Sequence, residues 1–269
     1  RNRLVDDTSP IEERAAPQEI MPLISSFNDV LYQLEDSVLS QKRFIADAAH
    51  QLKTPLAGLR MQAELAQREN SPEELQRSLE QIADSSMRAT RLVQQLLSLA
   101  RMENATNLSE KILIDLSVAA EESTKNWLNA AWEKSIDLGY EAPSQPLKIY
   151  GNPVMLKELF NNLIDNAIKY TPPHGHITVD VRHSNRPGIL IIEVKDTGPG
   201  IPPEERQRVL ERFYRVLGSD IEGSGLGLAI VKEIATQHGG KLEILENFYS
   251  EDPTKYGTCM RVYLPVGRR

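Results

Sequence analysis

The chain has 269 residues, with 31 Lys and Arg against 38 Asp and Glu, a net charge of −7; an acidic balance excludes a sequence-independent grip on nucleic acid, which needs a basic stripe to displace counterions. A hydrophobic share of 40% allows buried cores and excludes wholesale disorder. The single cysteine, Cys259, excludes an internal disulfide framework, and no apolar run approaches the roughly 18–20 residues of a membrane span.

No signal peptide is visible, and the chain begins at Arg1 without an initiator Met, so a soluble piece of a longer protein is expected. Residues 1–17 carry turn formers and charges and read as a connector. Residues 18–101 contain no glycine except Gly58 and read as helix. Ile24, Phe27, Leu31, Leu34, Val38, Gln41 and Ile45 step by the three-four rhythm of a coiled-coil seam. The series resumes at Ala49, Leu52, Leu56, Leu59, Ala63 and Ala66, so two consecutive steps of four must fall within 41–56, by way of either Ala49 or Ala48. Pro55, which removes a backbone donor and tends to kink a helix, lies in that window. Ser71-Pro72-Glu73-Glu74 announces a second helix, with Ser71 as N-cap, Pro72 at N1 and Glu74 as the reciprocal partner of a capping box. Its seam runs through Leu75, Leu79, Ile82, Ser86, Ala89, Val93, Leu96 and Ala100.

About four residues separate the two helices, so they must fold back antiparallel. A lone hairpin leaves apolar surface wet, and a dimeric four-helix bundle is the simplest cover. A polar hinge over 101–110 follows. Residues 109–269 then alternate β-branched runs with helical stretches, as an α/β domain does. Strands are predicted at Ile112–Leu116, 136–141, 147–150, Ile177–Arg182, Ile189–Asp196, 241–247 and 257–264, with helices near 117–134, 153–170 and 226–238.

Four constellations carry chemistry, and their order matters more than any one of them. First, His50 follows the seam residue Ala49 and should project into solvent with Gln51, Lys53 and Thr54 around it; a neutral imidazole is a competent nucleophile near neutral pH. Second, Asn162, Asn166, Lys169 and Tyr170 fall at i, i+4, i+7 and i+8 on one helical face. Amide oxygens suit Mg²⁺, and Lys169 adds a charge for phosphates. Third, Asp196 ends an apolar strand before Gly198 and Gly200; its carboxylate can accept from an exocyclic amine while the glycines let backbone approach a planar ligand. Fourth, Gly223, Gly225 and Gly227 alternate before a helix, where converging N–H groups and a positive dipole end make a phosphate cradle. The last is neither a P-loop nor a Rossmann fingerprint, because no Gly-Lys-Ser/Thr follows and no strand leads straight into it.

Together these resemble the H, N, G1 and G2 boxes of the bacterial two-component sensor histidine kinases, and Glu211-Arg212-Phe213-Tyr214-Arg215 resembles their F box. Residues 1–40 resemble part of a HAMP-like linker and signalling helix. The resemblance implies a phosphotransfer and dimerisation domain over 41–103 and an ATP-binding domain over 109–269. The expected fold is an antiparallel helical hairpin, forming a dimeric four-helix bundle, followed by an α/β sandwich of the gyrase-like ATPase type. It further implies that Asp196 reads adenine and that Asn166 and Asn162 hold Mg²⁺. Lys169, Tyr170, Gly198, Gly200, Arg215, Gly223, Gly225, Leu226, Gly227 and Thr258 would surround ATP, with residues 203–222 as a mobile lid. Hydrolytic relatives place a water-activating Glu one turn before the Mg²⁺-binding Asn; Asn162 stands there and cannot act as a base.

The implied reaction is attack by a His50 nitrogen on the γ-phosphoryl of ATP, then transfer to an aspartate of a response regulator. Thr54 matches the position that orients water for dephosphorylating the regulator. The residue after the phosphorylated His is usually acidic in this family, and Gln51 keeps the acceptor without the charge. Partners implied are a second copy and the receiver domain of a response regulator, with no nucleic acid. The full-length protein would sit in a bacterial inner membrane through a segment absent here, with this part cytoplasmic. His174 and His176 read as residues beside a turn between helix and strand rather than metal ligands, and His183 and His238 likewise; Cys259 reads as a buried thiol, and Trp127 and Trp132 as anchors beneath the sheet.

Overall fold

The computed structural model describes residues 20–69, 71–104, 111–141, 143, 145–216, 223–248 and 256–267, with only the backbone at Ser37, Ser40 and 101–104. The predicted N-terminal connector, the hinge side chains and the last part of the expected lid lie outside the described residues. The chain divides into two compact units, 1–89 and 90–269.

The first unit is helical. α1 spans Met21–Ala66 and continues through Pro55. α2 spans Pro72–Asn104, and its residues from Thr90 onward belong to the second unit. Ser85 Oγ donates to Gln62 Oε1 at 3.2 Å and ties the helices into the predicted hairpin. The start of α2 differs from the expected capping box: Ser71 Oγ donates to Glu73 at 2.7 Å rather than pairing with Glu74. Leu75 N–H closes the first turn onto Ser71 O.

The seam is also displaced. Ile24, Leu31, Phe44, Ala48, Leu52, Leu59, Ala63 and Ala66 are half-buried, which is the phasing through Ala48. Phe27, Leu34, Val38, Ile45 and Leu56 stay exposed, Ile45 by 59% and Leu56 by 56%. On α2, Ile82, Ser85, Ala89 and Leu92 are covered while Leu75, Leu79 and Val93 are not. The physical reason is width: an apolar stripe spans 100° or more of a helix, and one partner helix covers only one flank of it.

In the second unit, β1 (Ile112–Asp115) pairs antiparallel with β3 (Lys148–Gly151). A five-stranded sheet has the order β2-β4-β5-β7-β6, built from Asp137–Glu141, His176–His183, Ile189–Asp196, Tyr256–Pro265 and Lys241–Phe248. β2 runs parallel to β4, and the remaining pairs are antiparallel. Three helices, α3 (Leu116–Glu133), α4 (Pro153–Tyr170) and α5 (Gly227–Gln237), pack on the sheet. Register puts Val179 beside Val194, Val181 beside Ile192 and Ile192 beside Val262, so the period of two delivers one apolar face.

α4 answers that face with Leu156, Leu159, Phe160, Leu163 and Ile164, all fully buried. Each such burial stabilises by about 1.5–3 kcal/mol. Local chemistry sets the helix starts. Asp115 accepts from Ser117 N–H at 3.0 Å before α3, and Asn152 accepts from Val154 N–H at 2.9 Å and Met155 N–H at 3.1 Å before α4, with Pro153 at its first position. On the opposite sheet face the buried Glu193 meets Arg182 at 2.7 Å, Lys195 at 3.1 Å and Arg261. Burial alone would raise its pKa, but these cations outweigh it and hold the carboxyl below its ordinary range.

Trp132 corrects its expectation: it is 84% exposed at the end of α3 and anchors nothing. Trp127 does pack, donating from Nε1 to Asn161 Oδ1 at 3.1 Å. His174 takes a left-handed φ of 66° in the turn before β4, and His238, although buried, caps the C-terminal end of α5 just before β6, so both stand beside helix-to-strand turns as expected.

Candidate active site

Two sets of functional side chains come from the two units. On α1, His50 is exposed, as its place beside the seam predicts, and so are Lys53 and Thr54. Thr54 follows His50 by four residues and therefore shares its face. Gln51 departs from expectation: it is half-buried, because phasing through Ala48 turns that position toward the covered side.

In the second unit a cavity of about 530 Å³ lies over α4 and the start of α5. Its wall brings together Asn162, Asn166, Lys169, Tyr170, Asp196, Gly200, Arg215, Gly223, Gly225, Gly227 and Thr258. Residues up to about 100 apart in the chain thus converge from α4, the end of β5, the glycine-rich turn and β7. Two expected residues stand behind the wall. Leu226 is fully buried, and Gly198 supports the floor by donating its N–H to Asp196 Oδ1 at 2.9 Å.

Asp196 is the buried polar centre, 3% exposed. Thr258 N–H donates to the same Oδ1 at 3.1 Å. Burial pushes the carboxyl above its ordinary pKa, while these N–H donors work against the rise. The oriented acceptor is suited to reading an amine donor in a dry pocket. Close packing behind it is obligatory: a Cβ on Gly257 would lie 1.9 Å from Asp196 O.

The glycine-rich turn shows equally plain constraints. Gly225 has φ +69°, and a Cβ there would meet the Phe213 backbone at 2.6 Å. Phe213 N–H donates to Gly225 O at 2.9 Å, and Phe213 itself has φ 63°. Ser224 Oγ donates to Gln95 Oε1 at 2.8 Å and accepts from Leu226 N–H at 3.2 Å. The turn then enters α5 at Gly227, leaving helix N–H groups at the cavity.

The donor set on α4 fits a hard cation. Asn162 Nδ2 donates to Glu158 O at 2.8 Å and to its Oε1 at 3.4 Å, which turns the Asn162 carbonyl oxygen the other way. That oxygen lies 3.2 Å from where a Cβ on Gly227 would stand, so it faces the glycine-rich turn. Asn166 lines the cavity one turn later. Two neutral amide oxygens beside a phosphate cradle suit an ion that keeps water and borrows phosphate oxygens.

Lys169 reaches the cavity but is paired with Asp165 at 2.6 Å, and Arg91 approaches the other oxygen of Asp165 at 3.5 Å. Asp165 and Gln95 line the cavity without being singled out from sequence, and Tyr214, named only as part of the F-box-like motif, lines it too. Asp165 had a signal, lying three residues after Asn162 on the helix; Gln95 had none, because its place depends on a contact 129 residues away. The described part of the expected lid is well tied. Arg206 donates to Ile201 O at 3.1 Å and Glu246 at 2.6 Å, and Tyr214 donates to Glu205 at 2.5 Å.

Residues 40–105 match the family described as His Kinase A (phospho-acceptor) domain, and residues 151–268 match the Histidine kinase-, DNA gyrase B-, and HSP90-like ATPase family. The chain is 36% identical over 244 residues to the sensor protein QseC of Escherichia coli, covering 90% of this chain and 53% of that protein. It is 34% identical over 268 residues to the signal transduction histidine-protein kinase/phosphatase MprB of Mycobacterium avium, covering 97% of this chain and 49% of that one. The chain therefore spans about half the length of the curated relatives it matches. The solved structure of histidine kinase ThkA in complex with response regulator protein TrrA shares the fold at a TM-score of 0.67, with 20% identity, 87% of this chain and 64% of that chain covered.

Proposed function

From the premise that the chain belongs to the two-component sensor histidine kinases, we propose that it phosphorylates its own His50 from ATP and passes the phosphoryl group to an aspartate of a response regulator. The observation that carries this reading is the convergence on one cavity of Asp196, Asn162, Asn166 and the Gly223–Gly227 turn. Asp196 accepts from the adenine amine. Lys169, Arg215 and the glycine-rich turn hold the phosphates, and Thr258 supports Asp196. Asn166 and Asn162 would hold Mg²⁺, which neutralises phosphate charge when bound.

The His50 nitrogen lone pair attacks the γ-phosphorus, an N–P bond forms, and the bond to the bridging oxygen breaks to release ADP. The other ring nitrogen gives up its proton as the phosphoramidate forms. Positioning and electrostatics carry most of such a transfer. Asn162 has no basic group to activate water, so the γ-phosphoryl awaits a better nucleophile. The receiver aspartate then attacks the phosphorus and restores His50.

Two exposed apolar flanks on α1 and α2 support a dimer, since a second hairpin would cover both. The ThkA complex, solved with a response regulator, supports that class of partner. Domains over 41–103 and 109–269, and a membrane segment outside this chain, complete the reading. A phosphatase activity toward the regulator is favoured by exposed Thr54 on the His50 face and by the name of MprB.

Incubation with labelled ATP and Mg²⁺ should place acid-labile, base-stable label on the protein, and His50→Ala should remove it while nucleotide still binds. Rapid phosphate release without labelled protein would overturn the kinase reading.

A further inference from the structure

α4 contributes Asn162, Asn166, Lys169 and Tyr170 to the cavity wall, and its C-terminal end must be held in place for Lys169 and Tyr170 to stay there. The last four carbonyls of any helix lack partners within it. At this end Thr171 N–H satisfies Ala167 O at 2.9 Å. The next two are met from outside the helix: Lys134 Nζ donates to Ile168 O at 2.7 Å and to Lys169 O at 2.7 Å. Among the described residues, no other side-chain donor reaches those two oxygens.

Lys134 sits just past the end of α3, where the chain is fixed independently. Ser135 takes a left-handed φ of 57°, its N–H donates to Trp132 O at 2.8 Å, and Ile136 N–H donates to Ala131 O at 2.9 Å. Ser135 O in turn accepts from His174 N–H at 2.8 Å, and Asp137 N–H donates to Gly175 O at 3.0 Å. The ends of two helices and the turn after the second are therefore laced together, with the ammonium at the centre. A cation there also faces the negative end of the α4 dipole.

We propose that Lys134 is a positioning residue of the nucleotide site: by capping the C-terminal end of α4 it holds Lys169 and Tyr170 against the cavity. This rests on reading the cavity as the ATP site. Burial pulls the Lys134 pKa below its ordinary value, in keeping with an ammonium partly withdrawn from water. Removing it leaves two carbonyls at the helix end unsatisfied. The nearest cation along the chain is Lys169, whose ammonium is held by Asp165 at the cavity. If it turned back to serve those oxygens, the phosphates would lose it.

The test uses the whole chain and a non-hydrolysable ATP analogue, with affinity and thermal midpoint read separately. Lys134→Met should stay folded with a lowered midpoint and bind the analogue about tenfold more weakly, the scale of one charge-assisted hydrogen bond. Lys134→Arg should recover most of the affinity, and Lys134→Gln, which keeps one donor, should fall between. Wild-type affinity in folded Lys134→Met overturns the proposal, and so does failure of Lys134→Arg to recover binding. Unfolding of both Lys134→Met and Lys134→Gln overturns it too, by making the residue one of stability alone. Should the wild-type chain itself not bind the analogue, the reading of the cavity fails instead.

Discussion

The α/β unit finishes its own core, and the helical hairpin does not. Phe160, Leu163, Ile164, Ile192, Ile230 and Val262 are fully buried within one copy of the chain. On the hairpin, Ile45, Leu56, Met61 and Leu79 remain at least half exposed. A sheet with three helices on one face encloses its apolar surface, whereas two helices have only one line of contact to share. The lesson is that the α/β unit, which carries the candidate nucleotide cavity, completes its core without a second copy. The hairpin leaves an apolar flank uncovered within one copy, and His50 stands exposed beside it.

The sharpest way to break this contrast is at the buried centre of the lobe. Asp196→Asn keeps the shape and one oxygen for Gly198 and Thr258, but puts an amide NH2 where the second carboxylate oxygen would accept the proposed adenine amine. Nucleotide affinity should fall on the order of a hundredfold, the scale of losing matched polar partners in a dry site. Equilibrium binding checks it, and unchanged affinity would remove Asp196 from the site. Next comes dependence on concentration. Residues 20–104 alone should melt at a midpoint that rises with protein concentration, since association of the hairpins stabilises them. Residues 109–269 should melt at a constant midpoint, and a constant midpoint for both would make the hairpin complete on its own.

A smaller effect is expected at Gln51. Gln51→Glu puts a carboxylate beside His50 and should speed autophosphorylation several-fold, well below the roughly 10²–10⁴-fold of a full general base, because Gln51 already supplies the acceptor. An equal or lower rate would show that the half-buried position 51 does not reach the imidazole. Smallest is a pH effect confined to the lobe. His238 accepts from Asn152 N–H at 3.2 Å through Nε2 and donates through Nδ1 to Ile234 O at 2.8 Å, so it serves as the neutral ring. Burial lowers its pKa, helped by the charge of Lys111. The unfolded chain therefore binds the proton more readily. Stability is whole above the unfolded value of about 6.5 and declines as pH falls through the lower folded value. Denaturant midpoints of 109–269 between pH 7.5 and 5 should show this loss, and His238→Gln should flatten it.

Secondary structure and the helical and strand faces that carry the candidate site residues were readable along the chain because both rest on short-range rules. The strand Ile189–Asp196 ends where its apolar run ends, and α4 begins where Asn152 and Pro153 say it should. The Asn162, Asn166, Lys169 and Tyr170 face follows from helical pitch alone. Proline and heptad spacing placed the register slip inside 41–56, and exposure chose between its two phasings. What tertiary structure decided is of another kind. Trp132 looked like an anchor by composition, yet it stands exposed at the end of α3. Gln95 and Lys134 have neighbours that local pattern cannot name. Asp196 became a buried acceptor only when β7 brought Thr258 beside it. Local sequence sets where each side chain points along its own element. Which distant element arrives to meet it depends on how the whole sheet and its helices close, and that is a property of the folded chain.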